Sequence, residues 1–375
     1  MRIAINTIIL SKDRLKGYEP YVKEILSRMV RQHPEHEFIF VFDGPYGDEF
    51  IFASNVKPVI ISPPVRHALS FVYWYNIMAP LVLRKYKPDV WLQPYGFCSL
   101  TSKIPQLLIV HDLAFSQHPQ FITWHHRWYH QMFTKPFLRK AAGIVAVSDK
   151  LKSDIIQHYH VPAEKVSVVR GAARIGFRPL PWQEKEQVKE GFADGREYFL
   201  FTGGIRPLKN LMNLLRSFSL FKKWQHSNMK LLIAGSLARQ YDDVWMKLKT
   251  YKYRDDVVPL NYLPDEQLAR VTAAAYAVIH SSFPGGFGLP VIEAMQALVP
   301  VITSTTGSMP EIGGDAALYA DPADPAAIAK HMLTLYKDEA QRNTLIEKGK
   351  LHAEKFSCDE AAEKCWQQIV KAAGK

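Results

Sequence analysis

The sequence predicts an α/β protein with two doubly wound, Rossmann-like halves, and three observations lead to this prediction. Strand-like apolar runs alternate with helix-like runs, from IAINTIIL and YVKEILSRMV to YFLFTGG and NLMNLLRSFSLFKKW, which is typical of parallel sheets covered by helices. The alternation lapses into Pro, Gly and charged residues around residues 177–197 and then restarts. A chain of 375 residues is also long enough for two hydrophobic cores. We therefore predict an N-terminal domain over 1–177, a linker over 178–197 and a C-terminal domain over 198–356.

The first domain begins with MRIAINTIIL, which we interpret as a strand because it has no separate charged region and no small-residue cleavage site. The runs DVWLQ, QLLIV and GIVAV are further predicted strands, and KLKSDIIQHY is a predicted helix. His111 and Asp112 directly follow QLLIV. Ligands of doubly wound sheets bind beyond the carboxyl ends of the strands, so both residues are candidates for a ligand site.

The segment WHHRWYHQMFTKPFLRK, residues 124–140, mixes aromatic rings and cations on a predicted helix. One interpretation is a helix that faces the core and has a solvated basic side. A second is contact with an acidic membrane surface or a lipid-linked acceptor. His126 and His130 are four residues apart, but no further ligand pattern accompanies them, so a metal site has little support. The basic run KLKTYKYR over 247–254 is predicted to be a solvated face.

The segment TGGIRPLKN follows the strand YFLFT at the start of the second half. Gly203 and Gly204 would let the backbone approach a phosphate, and Arg206 and Lys209 would neutralise the charge of a departing diphosphate. The spacing does not match the Walker A pattern. A solvated basic turn with no ligand is the alternative.

A second glycine-rich turn, SSFPGGFGLPVIEAM, lies between the predicted strands YAVIH and VPVIT. Its helix is predicted to begin at Pro290, because proline suits the first helical position. The preceding Leu289 has no side-chain oxygen to cap the first-turn N–H groups, which leaves them for water or an anionic ligand. Glu293 could accept hydrogen bonds from a pair of ribose hydroxyls. The alternatives are glycines that only serve tight geometry and a carboxylate that only interacts with the helix dipole.

Composition limits the classes of partner and location. Lys plus Arg number 47 against 36 Asp plus Glu, a net charge of +11 that favours anionic partners such as nucleotide diphosphates, nucleic acid or acidic lipid. No apolar run approaches the ~20 residues of a membrane-spanning helix. Cys98, Cys358 and Cys365 form no disulfide or metal-ligand pattern, which favours a reducing cytoplasm.

Several of these motifs together resemble a known family. GFGLPVIEAM followed by VPVITS and SMPEIGGDAALYADP resembles the nucleotide-sugar site of the bacterial family 4 (group 1) retaining glycosyltransferases of GT-B fold. VHDLAF, VSDKLKSDI, RPLKNL and NYLPDEQLA follow the family's order and spacing, so the resemblance covers nearly the whole chain. It implies two Rossmann-like domains that face each other across a cleft, with a terminal helix over 357–375 that returns to the N-terminal domain.

The resemblance also implies an activity and a set of site residues. The activity is a metal-independent, retaining, hexosyltransferase-type reaction that uses a nucleoside-diphosphate sugar and a glycan or lipid-linked acceptor in polysaccharide biosynthesis, with no cofactor. The chain has no Asp-x-Asp motif for a metal-held diphosphate. The implied location is cytoplasmic, with peripheral contact with the inner face of the membrane left open. The implied catalytic residues are His111, Arg206 and Lys209. The implied donor-binding residues are Gly17, Gly204, Tyr262, Leu263, Gly285, Gly286, Phe287, Gly288, Leu289 and Glu293.

Within this set, Glu293 would hold the ribose, His111 would face the transferred sugar, and the backbone at Tyr262 and Leu263 would contact the base. The chain departs from the family pattern at three places. The first glutamate of the family's glutamate pair is Gly285 here, and the arginine usually found beside Lys209 is Leu208. The family's N-terminal Gly-x-Gly loop is replaced by Gly17-Tyr18-Glu19-Pro20.

These departures affect the expected donor. The missing carboxylate at Gly285 predicts a donor sugar altered at the matching position, or a relaxed range of donors. A non-catalytic nucleotide-sugar-binding or partner subunit is the alternative function. A nucleic-acid binder is a third interpretation, but no recognition motif supports it and no nucleic acid is expected as a partner.

Overall fold

The computed structural model of the chain describes residues 1–10, 19–65, 68–235 and 248–374. It divides into two compact units. The first contains Met1–Gly171 together with Ser357–Lys375, and the second contains Ala172–Phe356. The terminal segment therefore belongs to the first unit although it follows the second in the chain.

The first unit contains, among its described residues, a seven-stranded parallel sheet in the order β3-β2-β1-β4-β5-β6-β7. The strands are β1 Arg2–Asn6, β2 Glu37–Phe42, β3 Val56–Ile60, β4 Val90–Gln93, β5 Gln106–Val110, β6 Gly143–Ala146 and β7 Val166–Val168. Most of their residues are buried, as expected for parallel strands covered on both faces. The order reverses between β1 and β4, which is the doubly wound pattern.

Helices cover the sheet of the first unit. They are α1 Glu19–Gln32, α2 Ala68–Tyr73, α3 Ala79–Tyr86, α4 Ala114–Gln117, α5 Trp124–Lys140, α6 Asp149–Tyr159 and the terminal helix Cys358–Ala372. A single π-helical turn, Trp74–Met78, joins α2 directly to α3. The terminal helix packs on α1, where Arg28 Nε donates to Asp359 at 2.8 Å and the Trp366 ring stacks on His33 with 3.9 Å between centroids.

The second unit contains, in the part that the structure describes, a six-stranded parallel sheet in the order β10-β9-β8-β11-β12-β13. The strands are β8 Tyr198–Thr202, β9 Lys230–Ala234, β10 Val257–Asn261, β11 Ala277–His280, β12 Val301–Ser304 and β13 Ala317–Ala320. This order reverses between β8 and β11. The carboxyl ends of these two strands therefore form the topological switch point of the sheet, where ligands of doubly wound folds bind.

The helices of the second unit pack on both faces of its sheet. In chain order they are α7 Trp182–Ala193, α8 Leu211–Gln225, α9 Asp265–Ala273, α10 Leu289–Gln296, α11 Met309–Gly313, α12 Pro325–Lys337 and α13 Glu339–Ala353. The segment for which the sequence predicts a linker, 178–197, thus contains a 12-residue helix, α7, within the second unit. The helix forms because Val188 and Ala193 are buried while its charged residues pair locally, as Lys189 does with Glu197 at 2.5 Å.

Candidate functional site

Two glycine-containing loops meet at the switch point of the second unit. One follows β8 and begins at Gly203, and the other follows β11 and begins at Ser281. A backbone hydrogen bond joins them, because the Phe283 N–H donates to the Leu208 carbonyl at 2.9 Å. The two predicted glycine motifs therefore form one continuous loop region at a single edge of the sheet.

The cations of the first loop lie over its two glycines. A β-carbon placed on Gly203 would lie 4.0 Å from Lys209 Cε, and one placed on Gly204 would lie 3.9 Å from Arg206 Nε. Gly203 has a φ of +122°, a backbone conformation that favours glycine. Arg206 is exposed and Lys209 is half-buried. The fold therefore places both positive charges beside a stretch of backbone that has no side chains, an arrangement suited to an anionic ligand.

Asn210 fixes the position of this loop. Its side-chain amide donates to the Ser281 carbonyl at 2.9 Å and to the Pro322 carbonyl at 2.6 Å, so one buried side chain ties together the loops after β8, β11 and β13. Gly235, after β9, has no room for a side chain, since a β-carbon there would lie 1.9 Å from the Gly203 carbonyl oxygen. These contacts hold Lys209 and Arg206 on a rigid support.

Three buried side-chain atoms at the same strand ends make no hydrogen bond to any residue that the structure describes. They are Thr202 Oγ1, His280 Nε2 and Ser281 Oγ. Burial and the nearby charge of Lys209 lower the pKa of His280 well below its usual value, so this imidazole is neutral at pH 7. Unsatisfied buried polar atoms are rare in native proteins, and here they gather beneath the loops that carry the cations. The sequence analysis did not single out His280, because a histidine at the end of an apolar strand resembles an ordinary core residue.

The second loop leads into helix α10, which begins at Leu289, one residue before the predicted start at Pro290. Gly288, with a φ of +77°, is the residue before the helix, and no side-chain oxygen caps the first turn. A side chain at Gly288 would also meet Met309, with a β-carbon only 2.6 Å from Met309 Cε. Gly286 has a φ of +89°, whereas Gly285 is not among the glycines with positive φ. The φ of Gly285 therefore does not itself require glycine.

The remaining predicted donor-binding residues of the second unit lie near these loops. The Phe287 side chain is buried and its ring packs 6.2 Å from that of Phe356, so only its backbone could face a donor. Leu289 and Leu263 are half-buried, and the Tyr262 side chain is exposed. Tyr262 directly follows β10, whose last residue, Asn261, accepts a hydrogen bond from the Gly235 N–H at 2.7 Å.

Glu293 is buried rather than open to solvent, and it is ion-paired. Arg174 Nε donates to Glu293 Oε1 at 2.6 Å, and Arg174 Nη2 donates to Glu293 Oε2 at 3.0 Å. The third nitrogen of the guanidinium, Nη1, donates to Asp265 at 2.6 Å. Burial alone would lower the pKa of Arg174, but the Glu293 carboxylate, with a smaller contribution from Asp265, raises it above its usual value.

This ion pair changes the chemistry expected of Glu293. An ionised carboxylate has about four acceptor positions, and the bidentate arginine occupies two of them, so a ribose could use only the other two. The ribose role of Glu293 stays a prediction. Arg174 was missed by the sequence analysis, because a single arginine in the stretch GAARIGF has no signal that links it to a glutamate more than a hundred residues away.

His111 lies at the end of β5 in the first unit and is buried. Its Nε2 is 2.7 Å from the Pro94 carbonyl oxygen. A carbonyl can only accept, so Nε2 carries the proton and donates it to Pro94. Burial lowers the pKa of His111, so the ring is neutral at pH 7. This geometry suits a residue that contacts a ligand better than one that takes a proton through Nε2.

Other predictions from the sequence fall on different parts of the chain. Gly17 lies outside the described residues, and so does the side chain of Glu19. The His126 side chain is likewise outside the described part, and the His130 ring stacks on Phe115 with 4.2 Å between centroids. The described residues contain no cluster of three or more His, Cys, Asp or Glu side chains placed to bind a metal ion. In the same part of the chain, no helix has the length and apolar character needed to cross a membrane.

Sequence comparisons match both halves of the chain. A profile of the family described as Glycosyl transferases group 1 matches residues 183–352, and one described as Glycosyltransferase Family 4 matches residues 15–172. The O-antigen chain mannosyltransferase B of Escherichia coli is 30% identical over 298 residues, covering 77% of this chain and 75% of that protein. The O-antigen chain mannosyltransferase RfbU of Salmonella typhimurium is 28% identical over 236 residues, covering 60% and 61%.

Comparison with solved structures gives the same fold over the full length. The sucrose-phosphate synthase of Thermosynechococcus elongatus superposes with a TM-score of 0.80 at 16% identity, covering 99% of this chain and 98% of that one. The Anabaena protein Alr3699/HepE, solved in complex with UDP-glucose, superposes with a TM-score of 0.77 at 15% identity, covering 99% and 100%. At these identities the likeness is one of fold.

Proposed function

The chain belongs to the group 1 glycosyltransferases and has the GT-B fold, and from this premise we propose that it transfers a mannosyl residue from a nucleoside-diphosphate sugar to a glycan or lipid-linked acceptor. The mannosyl donor and a place in O-antigen assembly are suggested by the two enterobacterial relatives, both of which are O-antigen chain mannosyltransferases. The proposal also includes retention of anomeric configuration and independence from metal ions. The arrangement of Lys209 and Arg206 over the bare backbone of Gly203 and Gly204 is the observation that carries it.

In the proposed reaction, the bond between the anomeric carbon and the diphosphate oxygen breaks as the acceptor oxygen forms a new bond to the same carbon on the same face. The electron pair remains on the leaving diphosphate oxygen, which takes the proton of the acceptor hydroxyl. Negative charge therefore builds on the diphosphate in the transition state. Lys209 and Arg206 would stabilise that charge, and fixed cations act strongly where water is excluded.

The same reaction needs no strongly basic side chain, because the leaving group itself accepts the proton. His111 fits this scheme as a neutral residue that contacts the transferred sugar, since its Nε2 proton is donated to Pro94. Glu293 would bind the ribose hydroxyls through the acceptor positions that Arg174 leaves open. In this scheme the tightly held groups position the donor, and the cations lower the barrier.

Gly285 bears on the choice of sugar. With no carboxylate at this position, the site lacks one acceptor for a sugar hydroxyl. A pocket without such a partner discriminates weakly between sugars that differ at the matching hydroxyl. We therefore propose that the protein uses a mannosyl donor and also accepts other donor sugars. The alternative is a preferred donor that is altered at that hydroxyl, and the same assay tests it.

The experiment measures nucleotide release from a panel of UDP-, GDP- and ADP-sugars that includes GDP-mannose, with a bacterial glycan extract as acceptor. Lys209→Ala should lower turnover with the preferred donor by about a hundredfold or more while affecting donor affinity less. Lys330→Ala, at an exposed lysine of α12, is the matched control and should match wild type. Turnover should persist in a chelator, and the anomeric configuration of the product should equal that of the donor.

The alternative of a non-catalytic nucleotide-sugar-binding subunit makes a different prediction in the same assay. Such a protein would bind nucleotide in calorimetry but release none from any donor with any acceptor fraction. Equal turnover of wild type and Lys209→Ala would instead contradict the proposed role of the lysine while leaving the transfer activity in place.

A further inference from the structure

The continuous helical stretch 68–86 carries a row of exposed apolar side chains on the side away from its core. Leu69 is 79% exposed, Tyr73 42%, Ile77 47% and Leu81 50%, and each follows the previous one by four residues. The opposite side of the same stretch already packs into the core of the first unit through residues such as Trp74 and Leu83. We call the exposed row the apolar stripe. The core of the unit does not need it, so its exposure calls for a partner.

The π-helical turn in the middle of this stretch keeps the apolar stripe straight. In an α-helix of 3.6 residues per turn, side chains four residues apart drift around the axis by about 40° per step. The turn Trp74–Met78 has i→i+5 hydrogen bonds and therefore more residues per turn, so a four-residue step across it advances less and offsets the drift. The four side chains thus share one face over three steps.

Pro80 accounts for this turn. It has no N–H to donate to the carbonyl of Asn76, four residues earlier, and its ring crowds that carbonyl in a regular α-helix. Thr101 Oγ1 donates to the Asn76 carbonyl instead, and the Leu100 N–H donates to Asn76 Oδ1 at 2.8 Å. The irregularity is therefore built into the fold by specific partners.

A second exposed row lies on helix α5, which is in ring contact with the first stretch. Trp124 is 79% exposed, Trp128 57% and Met132 50%, again four residues apart. The buried side of α5 contacts the first stretch, since the Tyr129 and Phe71 rings are 5.7 Å apart and nearly perpendicular. Two neighbouring helices of one unit thus both expose apolar rows to water.

Both helical segments carry cations and no acidic residue. Residues 68–87 contain Arg84, Lys85 and Lys87, and α5 contains Arg127, Lys135, Arg139 and Lys140, with no Asp or Glu in either segment. Arg84, Lys85 and Lys87 follow the end of the apolar stripe and are exposed, and Arg127 lies between Trp124 and Trp128. Exposed aromatic and aliphatic side chains beside cations, with no carboxylate on the same helices, are the composition of a surface that binds the headgroup region of an acidic bilayer.

We propose that the apolar stripe, together with the exposed row on α5, docks the first unit onto a membrane that contains anionic phospholipid. The apolar side chains enter the headgroup boundary, and the cations attract the lipid phosphates. The inference does not depend on which donor or acceptor the protein uses, because none of these residues belongs to the candidate donor site.

Charge argues against the two other partners that this surface could suggest. A two-fold dimer brings the same patch of both copies together, so the cations of one copy would face those of the other. Nucleic acid would satisfy the cations but gives no role to exposed Leu69, Ile77 and Leu81, because the phosphate backbone offers no apolar contact. An acidic bilayer satisfies both the charges and the apolar side chains.

The test is flotation of the full-length protein with phosphatidylcholine vesicles and with mixed phosphatidylcholine–phosphatidylglycerol vesicles at low and high salt. Wild type should bind the mixed vesicles, and high salt should weaken binding. Replacing all four residues of the apolar stripe with serine should lower partitioning on the order of a hundredfold. Arg84→Gln with Lys85→Gln should lower it about thirtyfold at low salt, since each cation near an acidic surface contributes about a fivefold factor.

Matched controls come from the second unit. Trp182, Trp224 and Leu351 are exposed there, and their replacement with serine should leave partitioning unchanged, as should Lys223→Gln with Lys330→Gln. Thermal melting confirms that each variant is folded, and nucleotide affinity should equal that of wild type in all of them, which separates this proposal from the one on function. Wild type that stays off the mixed vesicles, or a stripe variant that still floats with them, overturns the proposal. If wild type is a dimer and the stripe variant is a monomer, the surface serves self-association instead. If RNA displaces wild type from the vesicles and the Arg84→Gln, Lys85→Gln variant does not bind RNA, the cations serve nucleic acid instead.

Discussion

Arg174 and Glu293, which lies in helix α10 after the second glycine loop, form a buried bidentate ion pair whose energetics limit what Glu293 can do alone. Only 2% of the Glu293 side chain and 15% of the Arg174 side chain are exposed. Two charges removed from water in this way are not a strong net source of stability, but loss of one partner leaves the other uncompensated. Any substitution at Glu293 therefore has to be interpreted together with Arg174.

We predict that Arg174→Met lowers the free energy of unfolding by about 3–5 kcal/mol, because Glu293 would then be a buried carboxylate without its cation. Combining it with Glu293→Gln should cost much less than the sum of the single changes. Urea unfolding of the four proteins of this double-mutant cycle measures the coupling. Strict additivity would show that the pair does not act as a unit.

The role of Glu293 in ribose binding can be measured separately from its effect on protein stability by comparing two nucleotides that differ only in a ribose hydroxyl. We predict that wild type binds the ribonucleotide more tightly than the 2′-deoxyribonucleotide, because Glu293 still has acceptor positions for hydroxyls. Glu293→Gln should remove most of this preference, and Arg174→Lys, which keeps the charge but loses the bidentate geometry, should reduce it in part. Calorimetry with both nucleotides is the measurement, and a preference that survives Glu293→Gln assigns the ribose to another residue.

Gly285 is the residue at which the chain departs most clearly from its family, and its backbone permits a direct test. Because Gly285 is not in the positive-φ region, Gly285→Glu can restore the family carboxylate without a left-handed backbone conformation that disfavours side chains. We expect this variant to narrow the donor profile toward ordinary hexoses, and Gly285→Ala to keep the wild-type range. Nucleotide release across the donor panel measures it. One profile shared by all three proteins would mean that Gly285 has no part in the choice of sugar.

Among the elements, the strands and the two glycine loops could be predicted from the sequence, and some of the helices and contacts could not. Buried parallel strands such as YFLFT are continuous apolar runs bounded by polar residues, so their pattern is local. The helix Trp182–Ala193 was hidden because its charged residues and the neighbouring prolines and glycines resemble a linker, whereas only two of its side chains are buried. The pairing of Arg174 with Glu293 depends on tertiary structure, which no local pattern encodes.

His280, at the end of strand β11, makes the stability of the second unit depend on pH. His280 is buried, its Nε2 has no partner among the described residues, and its folded-state pKa lies well below the usual value because of burial and the charge of Lys209. The unfolded chain therefore binds a proton near pH 6.5 that the folded chain does not. Stability from this group is complete above about pH 6.5 and is lost as the pH falls below it, by ~1.4 kcal/mol per pH unit.

We predict that His280→Leu removes this contribution to the acid-side slope in the second unit. At pH 7 the substitution should be nearly neutral in stability, because it replaces a buried polar atom that has no hydrogen bond with an apolar group. His226→Asn, at an exposed position with a φ of 48° that asparagine tolerates, is the control and should leave the slope unchanged. Unfolding free energies measured between pH 5 and pH 7.5 decide between these outcomes, and equal slopes for wild type and His280→Leu would contradict the prediction.

At the scale of the whole molecule, each unit has its own sheet and its own core. The core of the second unit includes Phe199, Leu214 and Phe218, and a core of the first includes Ile39, Trp74 and Leu83. The fold class could be predicted because the alternation of strands and helices is repeated in each half. The boundary between the units lies at Gly171 and Ala172 and could not be placed from the sequence. The polar stretch 178–197, which has the composition of a linker, instead contains a helix of the second unit.

Because the two units have separate cores, we predict two thermal unfolding transitions in calorimetry. Nucleotide should raise the Tm of only one of them. The proposed contacts of a nucleoside diphosphate, through Lys209, Arg206 and Glu293, all lie in the second unit, so at about a hundred times Kd the ligand should stabilise that unit by ~2.7 kcal/mol. For a unit of this size that is a rise of roughly 5–10 °C in Tm.

Leu214→Ala and Leu83→Ala, each at a fully buried core position, assign the transitions, because each should lower the Tm of its own unit. If nucleotide raises the transition that Leu83→Ala lowers, the binding residues proposed in the second unit are not sufficient to hold the ligand, and residues of the first unit must contribute to nucleotide affinity.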